Sequence, residues 1–140
     1  MKSWAIWVPF IPPSSNELKR LHFLSVASSR RNVHEMMQPL LWSIQAASDY
    51  AGPAEKVRLI ATFHWTDKRR RDIGNHAESL KAIIDSLVGV CIPDDDVKHI
   101  TELVLRGKLA SDRKGIALII EEIADADDGT GDRQRRPKRS

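Results

Sequence analysis

Apolar residues change their period along the chain from two to roughly three and a half and back, and this pattern predicts the elements of a small fold. Trp4 to Phe10, rich in aromatic and β-branched residues, reads as a strand. Pro12-Pro13-Ser14-Ser15-Asn16 ends it, because proline cannot donate to a ladder. A polar, basic connector follows through Arg30-Arg31-Asn32. Met37, Leu40, Leu41, Ile44 and Ala47 then recur at helical spacing up to Tyr50. An interior proline breaks a helical hydrogen bond and clashes with the turn before it, so this helix is expected to begin near Gln38, with Pro39 in its first turn.

Ala51-Gly52-Pro53 is a break, and Lys56 to Trp65 alternates cleanly, with Val57, Leu59, Ala61, Phe63 and Trp65 on one face. After Asn75 the residues Leu80, Ile83, Ile84, Leu87 and Val88 return to the helical period, with Glu78, Lys81 and Asp85 on the polar side and Gly89 as terminator. Two strands, His99 to Leu105 and Ile116 to Ile123, joined by the charged connector Gly107 to Gly115, read as a hairpin. The order β-α-β-α-β-β predicts an α+β domain over residues 1–123, a small mixed sheet covered by two helices. Residues 124–140 hold nothing to bury and are expected to form a disordered basic tail.

At 140 residues the chain supports one core, and its net charge of +3 matters less than where the cations cluster, at Lys68–Arg71 and Arg133–Arg139. The lone Cys91 sits in an apolar run and has no partner for an internal disulfide, which suits a reducing cytoplasm. No segment approaches the roughly 18 apolar residues a membrane span requires, so no membrane partner is expected. Trp4, Trp7, Trp42 and Trp65 occupy core-type positions.

The chemistry concentrates between Lys68 and Asp96. Lys68-Arg69-Arg70-Arg71 can hold phosphate, and Asp72 and the triplet Asp94-Asp95-Asp96 can hold a divalent metal, the combination a metal-dependent nuclease needs. A helix of about 13 residues carries the chain about 20 Å, and the steps from Gly89 to Asp96 span at most roughly 25 Å, so the acids can converge. Magnesium, or manganese in its place, binds through one or two carboxylates plus substrate phosphate. Lys81 supplies a cation for the scissile phosphate.

The segment Asp67-Lys68-Arg69-Arg70-Arg71-Asp72-Ile73-Gly74-Asn75, then Leu80-Lys81 to Asp85-Ser86-Leu87, then Ile92-Pro93-Asp94-Asp95-Asp96, resembles the RusA-like crossover junction endodeoxyribonucleases, a family common in phages and prophages. Trp7-Val8-Pro9-Phe10 and Pro12-Pro13-Ser14-Ser15-Asn16 resemble the family's opening strand and turn, so the similarity covers most of residues 4–123. The resemblance implies a magnesium-dependent homodimer that binds four-way DNA junctions and cuts them symmetrically. It implies that Asp72 and Asp96, or the neighbouring Asp95, bind metal, that Lys81 is the functional lysine, and that Asn75 and Asp85 support them.

One position departs from the family pattern. Gly74 stands where Asp-x-Asp-Asn has its second aspartate, and about three extra residues separate Asn75 from Asp85. Either Glu78 or His76 takes the missing ligand's place, or the protein binds branched DNA without cutting it efficiently.

Overall fold

The computed structural model of the protein describes residues 1–20 and 23–124. All but the first residue of the expected tail therefore lies outside the described residues. The elements are β1 (Ser3–Val8), α1 (Ser15–Arg20), α2 (Phe23–Ala46), β2 (Val57–His64), a 3-10 turn (Ile73–His76), α3 (Ser79–Leu87), β3 (Ile100–Lys108) and β4 (Gly115–Glu122). They form an α+β fold with one mixed four-stranded sheet, ordered β1-β4-β2-β3. β4 runs antiparallel to both β1 and β2, and β3 runs parallel to β2.

The alternation read in β2 is the alternation found: Val57, Leu59, Ala61, Phe63 and Trp65 are all buried, joined by Ile116, Leu118 and Ile120 of β4 and Ile6 and Val8 of β1. The inner face of the sheet meets Val33, Met37 and Leu41 of α2 and Leu80, Ile83 and Leu87 of α3 in one core. The outer face holds no buried residue among Ser3, Ala5 and Trp7 of β1, Arg58, Ile60, Thr62 and His64 of β2, and Ala117, Ile119 and Glu121 of β4. No helix among the described residues lies over it, so among them this is a bare sheet face.

Several expectations are corrected. β3 and β4 do not form a hairpin, because β2 lies between them. Lys108 at the end of β3 and Gly115 at the start of β4 both pair with His64. The most apolar strands take the centre, and β3, exposed along most of its length, takes an edge. The basic stretch around Arg30-Arg31-Asn32 is not a connector. The inward stripe of α2 extends back from Met37 through Val33, and the polar residues lie on its solvent side. Pro39 lies inside α2 on an exposed position, where water can take the carbonyl it frees. A short helix, α1, precedes it, so the described residues hold three α-helices where two were expected. It carries a capping box: Ser14 Oγ accepts from the Glu17 amide at 3.4 Å, and Glu17 Oε1 accepts from the Ser14 amide at 3.0 Å. Trp42 is 63% exposed on α2 and Trp7 lies on the bare sheet face, so neither is the core residue expected.

The helix after Asn75 is shorter than its pattern predicts. Asp72 caps the 3-10 turn instead, its side chain accepting from the Gly74 amide at 3.1 Å, and α3 begins only at Ser79. Buried Ser79 Oγ lies 2.9 Å and 3.0 Å from the Pro12 and Pro13 carbonyls, fastening the proline turn to the start of α3. Gly89, with φ +86, lies just beyond α3, where the expected terminator belongs.

Candidate functional site

Parallel pairing of β2 and β3 dictates where the acids go. A parallel connection must return the chain to the end where β2 began, and α3 makes that return. The segment after β2 and the segment before β3 therefore lie at opposite ends of the sheet. Ile73, next to Asp72, stands against Gly107 near the close of β3, and Asp96 precedes its opening, its carbonyl accepting from the Ile100 amide at 2.9 Å. The seven steps from Ile100 to Gly107 correspond to on the order of 20 Å of strand. Asp72 and the triplet do not converge, because α3 carries the chain back against the strand direction and the loop after it leads into β3 without returning to the end where Asp72 lies.

Near the opening of β3, a recess of about 470 Å³ gathers Lys81 and Asp85 from α3, Asp95 and Asp96 from the loop, and Arg30 from α2. Four of the residues singled out in the sequence thus share one cavity. The Asp95 carboxyl pKa is raised from its ordinary value, first by hydrogen bonding to Asp85, then by desolvation and by the charges of Asp85 and Asp94. Two carboxyls placed so closely are donors that a hard cation could use, with water or other oxygens as its remaining ligands. Among the described residues, no three His, Cys, Asp or Glu side chains are grouped as a ready metal cage. The fit is to a two-carboxylate platform. Lys81 also lies 3.6 Å from Glu78, the residue that precedes α3, so Glu78 is that lysine's partner. His99 Nε2 is 3.8 Å from Asp96, and its Nδ1 is 2.7 Å from the Glu55 carbonyl, which fixes the ring beside the triplet.

Arg30 was missed as a site residue. The signal was the inward spacing of Val33, Met37 and Leu41, which continues upstream and turns the basic stretch into helix surface beside α3.

The basic run divides. Lys68, Arg69 and Arg70 are exposed. Arg71 is engaged: its Nη2 donates to Asp67 Oδ2 at 3.1 Å, and its guanidinium lies 4.9 Å from the centre of the Trp65 ring. Hydrogen bonding from Arg71 lowers the Asp67 carboxyl to about 2. Asn75 donates its backbone amide to the Asp72 carbonyl at 3.1 Å and so belongs to the capped turn. His76 packs against Phe63 and Trp65, and desolvation lowers its pKa. Buried Cys91, its thiol pushed up to about 12 by desolvation, is the inert core residue expected.

No helix among the described residues is long and apolar enough to cross a membrane. No protein-family model matches the chain, and no curated protein matches it.

Proposed function

We propose that the chain is a magnesium-dependent endodeoxyribonuclease acting on branched DNA, four-way junctions above all, in the cytoplasm of a bacterial or phage-infected cell. The observation that carries this reading is the single recess holding Lys81, Asp85, Asp95 and Asp96. Asp85 and Asp95, with Asp96 beside them, would hold magnesium or manganese. When bound, such an ion supplies an activated water and charge stabilisation at phosphorus. The Lys81 ammonium orients the scissile phosphate, and Arg30 offsets charge that develops on its oxygens. Exposed Lys68, Arg69 and Arg70 hold the backbone further along the strand. Symmetric cutting requires two such recesses, which a two-fold homodimer supplies.

In this reading the metal platform moves from Asp72 to Asp85 and Asp95. The second reading, a branched-DNA-binding protein impaired in catalysis, is favoured by the engagement of Asp72 in its cap and by the lack of a carboxylate at Gly74. A Cβ at Gly74 would lie 3.4 Å from Asp72 Oδ1, an ordinary contact, so the backbone there admits a Cβ.

The test is incubation of a labelled four-way junction and a matched linear duplex with magnesium or with EDTA. Paired nicks on the junction that need magnesium support the nuclease. Selective junction binding without nicks, converted to cleavage by Gly74→Asp, supports the impaired protein and contradicts the nuclease.

A further inference from the structure

At the end of the bare sheet face opposite the acidic recess lies a second recess of about 400 Å³, lined by Trp7, His64, Lys108, Ser111, Asp112 and Arg113 among others. Its construction follows from the strand order. Lys108 and Gly115 flank His64 on neighbouring strands, and residues 109–114 cross over the end of β2 between them. Backbone bonds hold that crossover in place, with the Ser111 amide donating to the Trp65 carbonyl and the Ala110 amide to that of Asp67, both at 2.9 Å. These bonds set the crossover beside the exposed cations Lys68, Arg69 and Arg70.

The side chains inside are fixed by one another. The Trp7 ring meets His64 edge-on at 5.3 Å between centroids, and the Arg113 guanidinium lies 4.2 Å over the Trp7 ring. Gly115 makes room for that ring, since a Cβ there would come within 2.5 Å of Trp7 Cζ2. His64 Nδ1 is 3.0 Å from Ser111 Oγ. When the Ser111 hydroxyl donates to Nδ1, the ring's proton is placed on Nε2, a donor for an anion. At the other end of the same face Arg58 is paired with Glu121 at 3.2 Å and Glu102 at 3.4 Å, whereas the His64 end gathers Lys108 and Arg113 against one lining acid, Asp112.

We propose that this recess binds a phosphate of a nucleic-acid strand, held by His64, Lys108 and Arg113 on the Trp7 platform, at a site separate from the acidic recess. The proposal rests on the reading of the chain as a nucleic-acid-binding protein, but it requires no cleavage. Desolvation, then Lys108 and Arg113, already lower the His64 pKa. A bound phosphate reverses the electrostatic part of that effect, so His64 reports directly on occupancy.

The experiment follows the His64 ring signals of the full chain by NMR as pH is varied, in EDTA, first without and then with inorganic phosphate, and then with a short oligo-dT strand. Affinity for that strand is measured in parallel over a salt series for the wild type and for Lys108→Gln/Arg113→Gln. The expected result is a His64 pKa raised by about half a unit or more by both ligands. The double variant is expected to lose about 5- to 10-fold in affinity, and its salt slope to fall by about 1.4, two contacts at roughly 0.7 each. A His64 titration that neither ligand alters would overturn the site. A response to inorganic phosphate with the variant's affinity and slope unchanged would overturn the nucleic-acid assignment. Because EDTA removes any metal, a protein that fails to cut junctions yet gives the His64 response contradicts the nuclease reading alone.

Discussion

The carboxyl of Asp85, near the C-terminal end of α3, stands against that of Asp95 in the loop before β3 and raises its pKa from the ordinary value. A raised carboxyl pKa means that the fold favours the protonated form. That contribution is present below the unfolded-state value near about 3.9 and is lost as pH rises through the raised folded value. At neutral pH the pair is therefore a net cost. Asp85→Asn should raise the melting temperature at pH 7 by about 2 °C, equivalent to at most about 0.5 kcal/mol for a solvent-screened pair, and the gain should vanish near pH 3. Thermal unfolding of both proteins across that range checks it.

The same repulsion is relieved by a cation. Millimolar magnesium should stabilise the wild type by mass action, by about 1.4 kcal/mol at tenfold excess over the dissociation constant, and so raise its melting temperature. Asp95→Asn should lose most of that increment. Equal increments in the two proteins would place magnesium elsewhere.

Gly115 has no space for a methyl group, with Trp7 Cζ2 and the Val8 carbonyl both 2.5 Å from where a Cβ would stand. One of those atoms is backbone, so the strain cannot be relaxed by a rotamer change. Gly115→Ala should cost about 1–3 kcal/mol in chemical denaturation and alter tryptophan fluorescence.

The basic run should divide by function as it does by geometry. Arg70→Gln should weaken duplex binding and lower the salt slope by about 0.9, as expected for one phosphate contact. Arg71 is tied to Asp67 and Trp65. Arg71→Gln should instead leave the slope nearly unchanged and loosen the loop, seen as faster amide exchange over residues 67–71.

Much of the fold was legible because β2 and α3 display their periods without interruption. What escaped reading has physical causes. Val33 and Met37 carry α2 upstream, but the cations on its solvent side and the exposed Pro39 mask that stripe in one dimension. The false hairpin arose because sequence adjacency is a weaker constraint than burial, which drew β2 between β3 and β4. The candidate site was half legible for the same reason. Lys81, Asp85, Asp95 and Asp96 are close in sequence through α3 and its loop, whereas the position of Asp72 depends on strand direction, which spacing does not encode.

Whether the recess of Lys81, Asp85, Asp95 and Asp96 cuts DNA is decided by single-turnover cleavage of a labelled four-way junction by wild type and Asp95→Asn in magnesium. The expected result is paired nicks from the wild type and a rate at least about 100-fold lower in the variant, about 2.7 kcal/mol of barrier, with junction affinity retained. Nicks from both proteins at similar rates would contradict it.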